Sequence, residues 1–162
     1  MEHIIHPIPP LYDADSRILI LGSFPSVKSR EAAFFYGHPQ NRFWKTVSTL
    51  LECPYPQNVE EKAKMLHEHH IALWDTIASC DIEGSSDSSI RNAVPNDLTP
   101  ILKTATIRAI FCNGTTSFDL YRKYILPLTG IEARKLPSTS PANAAFSAQK
   151  LCENWKIILE YL

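Results

Sequence analysis

The chain has no closely spaced cysteine pair: Cys53, Cys80, Cys112 and Cys152 stand far apart, with no CxxC among them. That spacing speaks against a zinc ribbon or a cysteine-held cluster and fits buried, reduced thiols. No apolar run approaches the ~20 residues that span a bilayer. The opening Met1-Glu2-His3-Ile4-Ile5-His6-Pro7 has neither a basic stretch nor a small-residue cleavage site, so a cytoplasmic protein with no membrane partner is expected. Net charge is nearly absent too, with 16 Lys and Arg against 17 Asp and Glu. A partner as anionic as nucleic acid then requires the basic residues to gather on one face. There is no internal repeat, no low-complexity tract and no Asp-rich cluster of the kind that holds a catalytic metal.

What is present is 162 residues, 44% apolar and 20% charged. That is enough for one domain, residues 1–162, burying ~70% of the surface its unfolded chain exposes, with no disulfide or metal required. Ile18-Leu19-Ile20-Leu21 reads as a strand buried on both faces, and Gly22-Ser23-Phe24-Pro25-Ser26 as a stiff turn at its carboxyl end. Ser26 is placed to cap a helix over 27–33, and Asn41 precedes a helix whose Phe43, Val47, Leu50 and Leu51 share one apolar face. Pro54 and Pro56 stop that helix, and Asn58 with Glu61 opens the next, to about 69, with a capping box. Further strands are expected over 71–77, 107–112 and 132–136, and further helices after Asn96, from Thr115 or Thr116 to about 126, and over 144–162. Residues 1–17 read as a lead-in, and 81–96 as a polar loop too long to be idle.

Strands alternating with helices predict an α/β fold, a three-layer α/β/α sandwich with a central four-stranded parallel sheet. Right-handed crossovers place the loops after all four strands on one edge, so 23–36, 74–75, Asn113 and 138–143 meet around a cleft.

The motifs Gly-Ser-Phe-Pro-Ser at 22–26, His-Pro-Gln-Asn-Arg-Phe-Trp at 38–44, Ser-Ile-Arg-Asn at 89–92 and Ser-Thr-Ser-Pro-Ala-Asn-Ala at 138–144 together resemble the uracil-DNA glycosylase superfamily. They come nearest to its hypoxanthine-DNA (deoxyinosine) glycosylase branch, over nearly the whole chain. In mismatch-specific relatives an Asn or Asp in the first turn supports catalysis; here Ser23 and Phe24 occupy it. The resemblance implies that the role has moved to Asn41; should Asn41 prove dispensable, Ser23 or Asp75 is the next catalytic candidate. Glycosidic hydrolysis passes through an oxocarbenium-like state that needs a positioned water and donors toward the departing base. An amide carbonyl at Asn41 can orient that water, although Asn there is also an ordinary helix cap.

The resemblance further places Tyr36 where a ring stacks on an extruded base, worth ~1–3 kcal/mol. The Phe24 N–H faces a base carbonyl in this reading; His38 donates to base or phosphate, and Asp75 and Asn113 complete the base pocket. Ser138, Ser140, Pro141, Ala142 and Asn143 form a DNA-clamping loop with a stiff tip for the minor groove, next to Arg134 and Lys135. The segment Ser88-Ser89-Ile90-Arg91-Asn92, inside the long polar loop, is a candidate for base or strand selection. Each has an alternative: a half-buried Tyr, a structural His, a capped turn, a phosphate contact for Arg91. His67, His69 and His70 read as structural surface residues, since zinc needs three or four converging ligands.

The expected function is a monofunctional DNA glycosylase of base excision repair that flips out a deaminated base, hypoxanthine first, and hydrolyses its bond to the sugar. No Lys lies in the core motifs to form a Schiff base, and no cofactor or metal is expected. The expected partner is DNA, met as a monomer in the cytoplasm, at the nucleoid in a prokaryote. The alternatives are a uracil or mismatched-thymine glycosylase and a non-catalytic DNA-binding module on the same fold.

Overall fold

The computed structural model describes residues 1–162. In chain order the strands are β1 (Glu2–Ile5), β2 (Ile18–Gly22), β3 (Ile71–Asp75), β4 (Ile77–Ile82), β5 (Arg91–Pro95), β6 (Ala109–Asn113) and β7 (Ala133–Leu136). The helices are α1 (Val27–Ala32), α2 (Phe43–Leu50), α3 (Val59–Glu68), α4 (Thr99–Thr104), α5 (Thr115–Leu120), α6 (Leu126–Thr129) and α7 (Ala148–Trp155). A π-helical turn, Tyr121–Ile125, joins α5 to α6.

All five residues of β2 are buried, because this strand lies inside the parallel sheet β3-β2-β6-β7 with helices on both faces. Alternation then sorts its side chains. Ile18 and Ile20 join Phe43, Trp44, Leu66, Leu151 and Trp155 on one face, packing α2, α3 and α7. Leu19 and Leu21 join Leu98, Ile101, Ile110 and Tyr121 on the other, packing α4, α5 and the π turn. The expected three layers are therefore present.

The expected caps form at two helices: Ser26 accepts from the Ser29 N–H at α1, and Asn58 from the Glu61 N–H at α3. At α4 the expectation fails. Asn96 is buried and its amide donates to the Asp75 and Ile77 carbonyls, bridging β3 and β4, while Asp97 accepts from the Thr99 N–H. The last helix starts at Ala148, with Ser147 as its cap, because residues 140–146 are drawn into the loop described below.

The larger departure is a second sheet, antiparallel β1-β4-β5, which the sequence hid in the lead-in and the polar loop. The segment expected as one strand over 71–77 ends at Asp75, and a new strand begins at Ile77. Leu11 also pairs with Leu73 through two 2.9 Å backbone bonds, so residues 1–17 are tied to both sheets.

No helix is long and apolar enough to cross a membrane. All four cysteines are free thiols, but only Cys80 and Cys112 are buried; Cys53 and Cys152 are half-buried. Burial pushes the Cys112 thiol up to about 12. A thiol reagent at pH 8 is therefore expected to modify Cys53 and Cys152 in the folded protein and to reach Cys80 and Cys112 only on unfolding, as mass spectrometry can count.

Candidate active site

The carboxyl ends of β2, β3 and β6 and the segment after β7 open into one cleft of about 550 Å³, within the ~300–1,000 Å³ of ordinary ligand sites. Ser23, Phe24, Tyr36, His38, Asn41, Asp75, Asn113, Ser138, Ser140, Pro141 and Ala142 all line it. Arg91 and Asn143 do not.

The floor is a carboxyl group. Asp75 ends β3 at 4% exposure, and its Oδ2 lies 2.7 Å from His6 Nε2, whose side chain is 3% exposed. The Ile8 N–H donates to His6 Nδ1, so that nitrogen carries no proton and Nε2–H is the donor to Asp75. A chain segment expected to be a mere lead-in thus supplies the residue that orients the floor carboxyl. His6→Ala is expected to cost about 2 kcal/mol, the usual worth of a hydrogen bond to a charged group, as measured by urea unfolding.

Above Asp75 stands Tyr36. Its ring is stacked on Phe43, centroids 4.2 Å apart at 18°, so one face is covered. Its backbone is left-handed, φ 52°, a strained state for Tyr that Trp44 braces by donating from Nε1 to the Phe35 and Tyr36 carbonyls. The hydroxyl is buried and has no partner; burial and the Asp75 charge push its pKa upward. Phe24 is also buried, its ring edge-on to His6 at 5.7 Å and packed with Ile77, Cys80 and Ile82. The Phe24 ring is therefore core, while its N–H takes no part in the backbone hydrogen bonding.

One wall is a network centred on Thr139, which is fully buried. Its hydroxyl donates to Asn41 Oδ1 at 2.9 Å and accepts from Asn113 Nδ2 at 3.0 Å, while its N–H donates to Asn113 Oδ1 at 3.0 Å. Asn41 Oδ1 also accepts the Phe43 N–H at 2.9 Å, the helix-start bond expected of it. Both lone pairs of that carbonyl are thus engaged, and the group Asn41 leaves without a protein partner in the cleft is its NH₂. Arg42 holds the same loop from below, donating to the carbonyls of Phe146, Ser140 and Asn143. Asn143 turns inward to the Ser138 carbonyl, and Pro141 and Ala142 stand exposed at the tip.

The opposite rim comes from the second sheet. Between β4 and β5 a short 3₁₀ turn, Asp87–Ser89, puts Ser85, Ser86, Asp87 and Ser88 on the cleft. Ser23 Oγ donates to Asp87 Oδ1 at 2.9 Å. Ser85 Oγ accepts the Val27 N–H, Arg30 donates to the Gly84 carbonyl, and Arg91 folds back onto the Ser88 and Ile90 carbonyls. Arg91 thus braces the turn and does not reach into the cleft. His38 Nδ1 accepts the Gln40 N–H, leaving Nε2 as a donor. Arg134 lies against the Tyr161 ring, and Lys135 lines a second groove that continues past Ser138 and Asn143. The three histidines at 67, 69 and 70 diverge: His67 meets Asp13, His69 donates to the Met65 carbonyl, and His70 is left-handed at φ 65°.

His6, Ser85, Ser86 and Asp87 are the site residues that sequence reasoning passed over, while Thr139 and Ser88 stood inside segments it had singled out. The signal available for Asp87 was the density of Ser around it in a loop already judged too long to be idle.

A family model described as the Uracil DNA glycosylase superfamily matches residues 9–162. The chain is 34% identical over 155 residues to a protein of Methanosarcina acetivorans named hypoxanthine DNA glycosylase, covering 94% of this chain and 96% of that one. It is 31% identical over 137 residues to a protein of the same name from Methanosarcina barkeri, covering 83% and 85%. A solution NMR structure of a candidate uracil DNA glycosylase from M. acetivorans superposes with a TM-score of 0.81 at 34% identity, over 96% of each chain.

Proposed function

The chain belongs to the uracil DNA glycosylase superfamily, and on that premise we propose that it is a DNA glycosylase that hydrolyses the bond between a deaminated base, hypoxanthine above all, and its deoxyribose. The observation that carries this reading is the buried Asp75 at the floor of a cleft whose walls are amides and hydroxyls. Deamination turns the adenine N1 acceptor into the N1–H of hypoxanthine, and the cytosine N3 acceptor into the N3–H of uracil. A carboxyl oxygen accepts from those N–H groups and repels the bare nitrogen of the parent bases. Such an edge is reachable only if the nucleotide is flipped out of the duplex.

In this reading the Asn41 NH₂, His38 Nε2–H and Phe24 N–H donate to the base as it departs with the bonding electrons, and Tyr36 backs it with the ring face that Phe43 leaves free. Asn113 and Thr139 fix Asn41 and carry the loop at 138–143, whose exposed tip is the part placed to meet the groove of the DNA. The reaction consumes water and needs no cofactor, and the enzyme acts as a monomer in the cytoplasm.

The test is a set of labelled duplexes carrying one hypoxanthine, uracil, xanthine or mismatched thymine, with an undamaged guanine-containing control, nicked by alkali after incubation. Preferential nicking at hypoxanthine is the expected result. Preference for uracil or thymine moves the substrate within the superfamily, and salt-dependent binding with no nick on any duplex would leave a DNA-binding module.

A further inference from the structure

Hydrolysis needs an acceptor that orients the attacking water at the sugar and takes its proton. Most acceptors in this cleft are committed elsewhere. The Asn41 carbonyl is filled by the Phe43 N–H and the Thr139 hydroxyl. His38 Nδ1 is filled by the Gln40 N–H. Asp75 lies at the floor, held by His6, where the base and not the sugar belongs. Two carboxyl oxygens have no hydrogen-bond partner: Asp75 Oδ1, at the floor with the base, and one at the rim. Asp87 Oδ1 takes the Ser23 hydroxyl at 2.9 Å and Oδ2 has no hydrogen-bond partner. Asp87 is exposed at the rim and lines both the cleft and the groove beyond it. A flipped nucleotide stays tethered through its sugar, so the base fills the floor and the sugar stops at the rim, beside Asp87.

We propose that Asp87 is a catalytic residue of the glycosidic hydrolysis, its free Oδ2 orienting the attacking water and receiving that water's proton. The C1′–N bond breaks and its electron pair leaves with the base; the water oxygen bonds C1′. The proton passes from water to Asp87 and on to solvent, and the base takes one back from solvent. The carboxylate also faces the developing positive charge on the sugar. Ser23 positions the group, which gives the first turn a use although it carries no amide or carboxyl of its own. The serine-braced turn holds Asp87 ready, so little rearrangement is needed when DNA arrives.

The inference rests on the glycosylase reading above. Although the residue Asp87 as a whole is exposed, the cleft walls partly desolvate its carboxyl; that desolvation first, then the Asp75 charge, raises its pKa against the Ser23 hydrogen bond. Arg30 is held on the Gly84 carbonyl, and Lys135 lines the groove beyond. A raised acid binds its proton more tightly in the folded than in the unfolded chain. Its charged form therefore opposes folding once pH climbs past the ordinary carboxylate range. Asp87→Asn keeps the Ser23 contact and removes that charge.

The experiment measures single-turnover base release on the hypoxanthine duplex from pH 4 to 9, with DNA affinity and Tm, for the wild-type enzyme, Asp87→Asn and Ser23→Ala. The expected result for Asp87→Asn is a rate lower by about 10²–10³-fold, loss of the acid limb of the pH profile, unweakened DNA binding, and a Tm at or above wild type. Ser23→Ala is expected to lose less. Asp87→Asn within threefold of wild type, with the same pH profile, overturns the proposal and leaves the glycosylase reading standing. A wild-type enzyme that releases no base from any duplex overturns both.

Discussion

Asn41→Ala is expected to slow hypoxanthine release by about 10²–10³-fold, the usual cost of removing one preorganised donor from a site of developing charge. The chain should still fold. The substitution removes the acceptor for the Phe43 N–H at the start of α2 and for the Thr139 hydroxyl, and a hydrogen bond of this kind is worth about 1 kcal/mol. Thr139 keeps both of its bonds to Asn113, so the loop over 138–143 stays attached and undamaged DNA is bound nearly as before. Asn41→Asp separates two accounts of the residue. Asp retains an oxygen for Phe43 and Thr139 and replaces the free NH₂ with a second acceptor. If donation to the departing base is the function, Asp is as slow as Ala. If a water-orienting carbonyl is the function, Asp retains or gains activity. Single-turnover rates for the three proteins on one hypoxanthine duplex decide between them.

The double role of Asn41 shows why the site was only partly legible in the sequence. Its place before α2 followed from local spacing, and its contact with Thr139, 98 residues away, did not. The main sheet was readable because β2 and β6 are buried on both faces and so are apolar without interruption. The second sheet was not. Its strands are short and half-exposed: β4 carries Ser79 and Asp81 between buried Ile77, Cys80 and Ile82, and β5 is Arg-Asn-Ala-Val-Pro. Irregularities at Ile77–Ser79 and Ser79–Asp81 break the two-residue period that would have announced a strand. With that sheet unread, His6 and Asp87 were left in segments that looked like connections, although the sheet puts the first under the floor of the cleft and the second on its rim.

Gly22→Ala tests the floor itself. A Cβ at Gly22 would lie 2.4 Å from Asp75 Oδ1, closer than real Cβ atoms approach, and 3.2 Å from the Tyr36 hydroxyl, a tight contact. Neither neighbour can yield cheaply. Asp75 is pinned by His6 at 2.7 Å with both side chains buried, and Tyr36 is stacked on Phe43 in a strained backbone state. The added methyl is therefore expected to push the carboxyl off its axis, costing about 1–3 kcal/mol of stability as overpacked cores do. Displacing a positioned group by ~1 Å lowers turnover by about 10²-fold. The loop over 138–143 does not touch Gly22, so affinity for undamaged duplex should hold. A double-mutant cycle with Asp75→Ala identifies the cause: if the clash with the carboxyl is the source, Gly22→Ala costs little stability once that carboxyl is gone, and the coupling exceeds 0.5 kcal/mol. Additive stabilities would place the strain elsewhere. Wild-type turnover in Gly22→Ala would mean that the base does not rest on Asp75.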